Sequence, residues 1–331
     1  MKLLKLLTQA AGPSGNEERV RAVIEREVAQ LADDVKTDAL GNLIAHIKGD
    51  GPRVMLDAHM DEVGVIVTFI EESGLVRFSN LGGLVLNAAF AQRVRFLNGV
   101  SGIIYKEQTE AGKEVKLSDL YIDIGAKNKE EAEEKIKIGD VAYFEGTYEE
   151  IESRVVSKAI DDRVGCYILI EAMKHVRENG TPKNDLYFVF SVSEELGLRG
   201  ARAAVHTVAP DFAVAVDVTR TGDLPGKLKM AVKLGEGLAI KVKDSSVLCH
   251  PYIKDFMVQT CKEHQIPYQM EILESGGTDA GAIHVANGGV PSGCISIPLR
   301  YIHTPCEMAD KEDIKGATEL LVQMINAGFS M

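Results

Sequence analysis

Tryptophan is absent from this chain of 331 residues, and aromatic residues make up only 6% of it. The absence of tryptophan removes the usual aromatic platform on which proteins stack sugars. Long apolar runs are also missing, since no stretch approaches the roughly 18 apolar residues that a membrane-spanning helix requires. We therefore expect a protein without a membrane partner.

The five cysteines form no CxxC pair and have no regular spacing. An odd, scattered set excludes a disulfide framework and is typical of proteins in a reducing compartment. The sequence thus predicts a cytoplasmic protein.

Basic residues are outnumbered, with 37 Lys and Arg against 49 Asp and Glu and a formal net charge of −12. A nucleic-acid partner needs a basic face, so this balance argues against one. The sequence also holds no Walker loop, no GxGxxG motif after a strand and no GxSxG elbow. These absences argue against nucleotide binding and against a serine nucleophile.

The length of the chain predicts about two domains, or one large domain that carries an insertion. Ser14 or Asn16 is predicted to cap a helix whose apolar positions continue to Leu31. Between about Phe69 and Ser153 the sequence changes to short strands, glycines and turns, interrupted by one helical segment, KNKEEAEEKIK. We interpret residues 69–153 as an inserted, small, β-barrel-like domain, and residues 1–68 and 154–331 as one α/β domain around it.

Outside the insertion, continuous apolar strands alternate with amphipathic helices. Examples are the strands DLYFVFSVS, DFAVAVDVT and VPSGCISIPL. Such strands between helices are typical of a parallel sheet that is covered on both faces. The expected fold is therefore α/β, with a mostly parallel mixed sheet, helices on both faces and the inserted barrel-like domain.

Polar, chemically active residues follow several of these strands, or stand at the head of a helix. They are His59 and Asp61, Glu194 and Glu195, Asp217, His303, and the pair Asp161 and Asp162. Each alone has a simpler interpretation, such as a helix N-cap for Asp161 or Asp162 or a turn for Asp217. Their shared position is stronger evidence for a binding site than any single residue is, because ligands of open α/β sheets gather at the carboxyl ends of the strands.

Imidazoles together with carboxylates form the ligand set of Zn²⁺ or Co²⁺, whereas Ca²⁺ takes oxygen ligands. Two metals about 3.5–4 Å apart need a bridging carboxylate and one free base that activates water. Glu194 and Glu195 can divide these tasks, because successive residues at a strand end project in different directions. A thiol–imidazole pair of Cys306 with His303 is less favoured, because no third group is evident to orient it.

Six motifs carry a resemblance to a known family: HMDEVG, AIDDRVG, SEELGLRGA, AVDVT, SGGTDAGAIH and RYIHTPCE. Their order and spacing resemble those of the M42 metallo-aminopeptidases, which include glutamyl, leucyl and lysyl aminopeptidases related to the TET peptidases. The resemblance implies five ligands for two zinc or cobalt ions: His59 and Asp217 on one ion, Glu195 and His303 on the other, and Asp161 between them. It also implies that Glu194 is the general base and that Asp61 orients the imidazole of His59.

The activity implied by the resemblance is removal of the N-terminal residue from short peptides by a large homo-oligomer, which in this family is often a dodecamer. The preferred N-terminal residue stays open, and Arg300 is more simply a salt-bridge partner than a substrate contact. One alternative is another di-metal amidohydrolase, such as a carboxypeptidase or deacylase. A second alternative, much less favoured, is a glycosidase of the endoglucanase type, because adjacent glutamates are poorly placed to flank a sugar.

Overall fold

The structure is a computed structural model that describes residues 1–107, 115–226 and 229–331. The α-helices of these ranges are α1 (Lys2–Gln9), α2 (Glu18–Val28), α3 (Leu86–Ala89), α4 (Lys129–Lys135), α5 (Ile160–Asn179), α6 (Arg199–Val208), α7 (Pro251–His264), α8 (Ala280–Ile283) and α9 (Lys311–Ala327). Short 3₁₀ turns lie at Leu117–Asp119 and Ala286–Gly288.

The strands of the same ranges are β1 (Asp34–Thr37), β2 (Leu43–Ile47), β3 (Arg53–His59), β4 (Gly64–Ile70), β5 (Val76–Leu81), β6 (Arg93–Phe96), β7 (Ser101–Lys106), β8 (Leu120–Asp123), β9 (Val141–Phe144), β10 (Glu149–Ile151), β11 (Arg154–Ser157), β12 (Asp185–Ser191), β13 (Phe212–Arg220), β14 (Leu238–Lys243), β15 (Tyr268–Ile272), β16 (Ser292–Arg300) and β17 (Glu307–Asp310).

A mixed sheet of 11 strands forms the centre of the larger unit, in the order β1-β2-β12-β3-β13-β16-β17-β11-β10, with β14 and β15 attached through β16. The four central strands β12, β3, β13 and β16 run parallel, whereas the outer strands of this order pair antiparallel. The attached strand β14 is antiparallel to β16 and parallel to β15. Parallel strands are continuously apolar where helices cover both faces. The predicted α/β fold class is confirmed, and its parallel part lies at the centre of the sheet.

Helices cover both faces of this sheet, and alternate residues of β3 show it. Val54 and Leu56 pack into the large core that also contains α5 and α9, whereas Met55 points into a separate core formed with α6. Successive side chains of a strand project to opposite faces, so one strand contributes to two cores. The centre of the sheet is buried on both sides.

The parallel register brings several strand ends to one edge of the sheet. Ser191, the last residue of β12, pairs with His59, the last residue of β3. In β13, Asp217 pairs with Ser296 of β16. The chain segments that follow these strands therefore begin next to one another, which explains why residues distant in sequence can share a site.

A closed barrel of strands β4-β5-β8-β7-β6-β9 forms the second unit. Its strands run from Gly64 to Phe144, and residues such as Val67, Ile104 and Ile122 form its own hydrophobic core. The predicted helix in KNKEEAEEKIK is present as α4, and the side chain of Asn128 caps it by accepting a hydrogen bond from the backbone of Glu131. Among the described residues, closure of the strands leaves no free sheet edge in the barrel.

The predicted start and end of the second helix are wrong. Helix α2 begins at Glu18 after the N-cap residue Glu17, and it ends at Val28, before Leu31. Ser14 does not cap the helix, because its hydroxyl donates to the buried carboxylate of Asp61 at 2.6 Å. A tertiary contact has replaced the local one that the sequence indicates.

None of the helices in residues 1–107, 115–226 and 229–331 is both long and apolar enough to cross a bilayer.

Candidate metal centre and active site

The predicted site residues come together at the carboxyl edge of the parallel strands. They line one cavity of about 350 Å³, whose walls include His59, Asp161, Glu194, Glu195, Asp217 and His303. Asp61 lies behind this wall and is fully buried. Open α/β sheets bind ligands at this edge, so the position fits a catalytic site.

The carboxylate of Asp161 lies between two imidazoles. Its Oδ1 atom is 3.1 Å from His59 Nε2, and its Oδ2 atom is 3.4 Å from His303 Nε2. Asp161 stands at the irregular start of α5, where its backbone is not helical and its peptide bond to Asp162 is cis. One carboxylate thus faces two potential ligand groups, one at the end of β3 and one in the loop after β16.

The neighbouring Asp162 is oriented differently. Its Oδ2 atom accepts from the backbone N–H of His59 at 3.2 Å, and its Oδ1 atom accepts from the backbone of Gly165 at 3.1 Å. One oxygen of Asp162 nevertheless lies within 4.8 Å of potential ligand atoms of His59 and Asp217. Asp162 therefore holds the backbone around the site, while Asp161 presents its oxygens to both imidazoles.

The two adjacent glutamates follow β12 and face different partners. Glu195 Oε1 lies 3.0 Å from His303 Nε2, whereas Glu194 Oε2 lies 4.0 Å from His59 Nε2. Glu195, Asp161 and His303 each offer an atom within 4.8 Å of the others. Glu195 thus lies closer to an imidazole than Glu194 does, although Glu194, Glu195 and His59 also each offer an atom within 4.8 Å of the others.

Asp61 contacts the site from behind. Its Oδ1 atom lies 3.3 Å from His59 Nδ1, a close contact that does not meet the geometry of a regular hydrogen bond. The backbone N–H groups of Glu194 and Glu195 donate to its two oxygens at 2.9 Å and 3.2 Å. A carboxylate behind an imidazole directs the other ring nitrogen, here Nε2, towards the cavity.

Burial and mutual repulsion shift the pKa values of the carboxyl groups. Burial raises the pKa of Glu194 well above its usual range; the charge of His59 opposes this shift, and that of Asp217 adds to it. Burial, together with the charge of Asp161, likewise raises the pKa of Asp217. Burial also acts to raise the pKa of Asp161, but its hydrogen bonds with His303 and His59 outweigh burial and lower it.

These charges provide a test of whether the residues fit a metal. Buried carboxylates are stable as anions only when cations compensate them. Burial lowers the pKa of His303, yet the contacts with Asp161 and Glu195 outweigh it and raise the pKa to about 12. Two imidazoles face a larger number of carboxylates in one cavity, and this donor set is one that binds Zn²⁺ or Co²⁺. The residues fit a metal centre.

Other residues of the six motifs also line the cavity, whereas Arg300 and Cys306 do not. Ser275 to Thr278 of the SGGTDAG segment line the cavity, as does Ile302. Arg300 is directed elsewhere, because its guanidinium binds Asp223 at 2.6 Å. Cys306 is exposed and has Thr304 Oγ1 at 3.6 Å as its neighbour.

Two carboxylates that support the site were not identified from the sequence motifs. The carboxylate of Glu307 accepts hydrogen bonds from the backbones of Asp161 and His303. The carboxylate of Glu17 accepts from the backbone N–H of Ser193, just before the two glutamates. Glu307 stands four residues after His303 in RYIHTPCE, which is the signal that could have identified it.

A mixed α/β sheet with a buried cluster of imidazoles and carboxylates at its parallel edge is typical of metal-dependent hydrolases. The chain belongs to the M42 glutamyl aminopeptidase family, whose model matches residues 41–320. It is therefore an aminopeptidase, a peptide hydrolase, as the six sequence motifs predict.

Relatives and solved structures agree with this assignment. The chain is 50% identical to a protein of Acetivibrio thermocellus that is provisionally named an aminopeptidase, over 98% of this chain and 97% of the other. It is 34% identical to the lysyl aminopeptidase of Pyrococcus furiosus, over 96% and 94% of the two chains. The crystal structure of a TET aminopeptidase from a Thaumarchaeota archaeon matches with a TM-score of 0.95 and 36% identity, covering 98% of this chain and 96% of that one.

Proposed function

We propose that the chain removes the N-terminal residue of short peptides with water activated between two divalent cations, and that Glu194 is the general base. The observation that carries this proposal is the position of Asp161 between His59 and His303, at 3.1 Å and 3.4 Å. A dinuclear site needs a carboxylate with one oxygen directed to each metal. The geometry supports Asp161 in this role more than Asp162, because Asp162 accepts backbone hydrogen bonds.

In this proposal the five ligands are divided between two Zn²⁺ or Co²⁺ ions. His59 and Asp217 would hold one ion, Glu195 and His303 would hold the other, and Asp161 would contribute to both sites. When bound, the two ions would lower the pKa of a shared water and polarise the scissile carbonyl. Asp61 keeps His59 Nε2 directed into the cavity, since it lies beside the opposite ring nitrogen.

Glu194 carries the proton in the proposed reaction. Its side chain lies 4.0 Å from His59 Nε2, and burial raises its pKa, which favours transfer of a proton to and from this carboxylate. Its backbone is held by Asp61 while its side chain lies at the cavity wall. Glu195 is less suited to this task, because its carboxylate already faces His303.

We further propose that the α/β unit, predicted as residues 1–68 and 154–331, forms the catalytic domain. The inserted unit, predicted as residues 69–153, would serve oligomerisation and substrate access; its barrel strands run from Gly64 to Phe144, and β10 belongs to the large sheet. Gly83, in the loop after β5, lines the cavity, and a Cβ atom there would lie 2.8 Å from His303 Cε1. The inserted segment thus approaches the site closely enough to limit what enters it.

A large homo-oligomer in the cytoplasm, such as a dodecamer, completes the proposal. The TET1 peptidase of Pyrococcus horikoshii, 32% identical with a TM-score of 0.87, can assemble into a tetrahedron or a large octahedral shell. Light scattering tests this part, because the subunit mass is 36.0 kDa. All five cysteines are free thiols, which supports a reducing compartment.

The alternatives differ in substrate and in metal dependence. A structure from Thermotoga maritima described as an endoglucanase is 33% identical with a TM-score of 0.82, so the glycosidase alternative requires a direct test. We would measure bound metal per subunit and hydrolysis of matched peptides with a free, acetylated or C-terminally blocked end. The proposal requires bound metal, a free α-amine and tolerance of a blocked C-terminus. Hydrolysis of the acetylated peptides, or activity that survives complete metal removal, would refute it.

A further inference from the structure

Glu307 is a buried carboxylate at the start of β17, and its two oxygens contact two distant segments of the chain. Oε2 accepts from the backbone N–H of Asp161 at 3.0 Å, and Oε1 accepts from the backbone N–H of His303 at 2.8 Å. Asp161 lies in the irregular first turn of α5, whereas His303 lies in the loop after β16. One side chain therefore joins the backbones of two residues whose side chains are neighbours in the cavity wall.

We propose that Glu307 is a positioning residue that holds Asp161 and His303 at the separation needed for metal binding. The inference rests on the proposed function, since it assumes that these two residues bind metal. Their side chains are 3.4 Å apart, between His303 Nε2 and Asp161 Oδ2. Glu307 contacts neither of these two atoms in the structure, so it acts through the backbone.

The local backbone explains why such a residue is needed. His303 has a φ of 63°, in the left-handed region that is costly for a residue other than glycine. Asp161 has φ −70° and ψ 110°, which is not helical although α5 begins beside it. Neither N–H belongs to a regular ladder, and a buried donor without a partner is unfavourable. Glu307 satisfies both donors and thereby stabilises both irregular conformations.

Asp61 has the same supporting role for His59 and the two glutamates. It accepts hydrogen bonds from the backbones of Glu194 and Glu195 and lies beside His59 Nδ1. Glu307 provides the same support for Asp161 and His303. Two buried carboxylates, Asp61 and Glu307, together contact the segments that carry both imidazoles, the proposed bridge and the glutamate pair.

A carboxylate is required at position 307 because both of its oxygens accept from N–H groups. In the Glu307→Gln variant, one of these acceptors becomes an NH₂ group that faces an N–H donor. One hydrogen bond is lost and two donors are brought together. The substitution preserves size, so its effect reports on the acceptor pattern.

The test is a titration of chelator-treated, full-length protein with zinc against a competing chromophoric chelator. We expect Glu307→Gln to bind zinc roughly 10- to 100-fold more weakly than the wild type, as is usual for residues that orient metal ligands. Asp313→Asn is the matched control, since Asp313 is also a buried carboxylate that accepts from two backbone N–H groups, those of Gly235 and Gly237. This control is expected to melt at a lower temperature yet to bind zinc like the wild type.

Wild-type zinc affinity in folded Glu307→Gln protein would overturn the inference, provided that the wild type itself binds zinc. Failure of the wild type to bind any divalent metal would instead refute the proposed function. If Glu307→Gln does not fold, hydrogen exchange of the chelator-treated wild type decides. Slow exchange of the Asp161 and His303 amides supports the inference, and exchange at the rate of exposed loops overturns it.

Discussion

Asp61 accepts a hydrogen bond from the backbone of Glu194, with 2.9 Å between Asp61 Oδ1 and the Glu194 nitrogen. Asp61 follows β3 and lies beside His59, whereas Glu194 follows β12. This contact therefore links two of the parallel strands at their carboxyl ends. The orientation of the proposed base therefore depends on a carboxylate that does not line the cavity.

The Asp61→Asn variant tests this dependence. Both oxygens of Asp61 accept hydrogen bonds, from Glu194 and Glu195 respectively, and an amide can keep only one of these contacts. We expect kcat/KM to fall by about 10- to 100-fold. Ser14→Ala is the control, because it removes a single hydroxyl contact to the same carboxylate. Equal effects of the two substitutions on peptide hydrolysis would contradict a special role for Asp61.

The Glu194→Gln variant tests the proposed base. The amide keeps the size of the side chain but cannot accept the proton from water, so kcat should fall by roughly 10²- to 10⁴-fold. Metal content should remain at the wild-type value, because Glu195 and His303 are unchanged. In contrast, Glu195→Gln is expected to lose metal, since Glu195 Oε1 lies 3.0 Å from His303 Nε2. Turnover near the wild-type rate in Glu194→Gln would exclude it as the base.

The sequence predicts the fold class because apolar runs and amphipathic periodicity are local properties. It also identifies the polar residues that share one sheet edge, since parallel strands bring their carboxyl ends together. The start of α2 was not predictable in this way. Ser14 is a good N-cap by its chemistry, but a buried carboxylate 47 residues away accepts its hydroxyl hydrogen bond.

The supporting carboxylates were hidden for a related reason. Glu307 and Glu17 accept hydrogen bonds from backbone N–H groups. Every residue except proline has such a group, so the residue type does not indicate which N–H needs a side-chain acceptor. Such a need arises from the irregular backbone around His303 and Ser193, both of which have positive φ. Only the three-dimensional structure shows that two distant segments require the same acceptor.

Metal removal should destabilise the protein as well as inactivate it. Several carboxylates are buried together at the site, and burial raises the pKa of Asp217 and Glu194. A ligand that binds only the folded state stabilises it by about 2.7 kcal/mol at 100 times its Kd. We expect the melting temperature to fall with a chelator and to recover with Zn²⁺ or Co²⁺. An unchanged melting temperature, with metal loss verified by elemental analysis, would contradict a resident metal.

Glu17 makes a pH dependence testable. Burial, with a smaller contribution from the charge of Asp61, raises the pKa of Glu17 from 4.5 to about 7. Between these values the folded protein retains a proton that the unfolded chain releases, so stability decreases as the pH rises from about 4.5 to 7. Above that range both states are ionised, and the full cost of the buried charge remains.

The Glu17→Gln variant removes this cost while preserving the contacts. A single oxygen of Glu17 accepts from the backbone N–H groups of Gly15 at 2.7 Å and Ser193 at 3.1 Å, and the amide oxygen can do the same. We expect the variant to match the wild type near pH 4.5 and to become more stable by on the order of 1–3 kcal/mol above pH 7. Melting temperatures from pH 5 to 8 measure the trend, with Glu18→Gln at the neighbouring exposed position as the control for charge. The cost of a buried carboxylate appears only when it ionises. A stability difference between Glu17→Gln and the wild type that stays constant, or that shrinks with rising pH, would therefore show that Glu17 is not protonated in the folded protein.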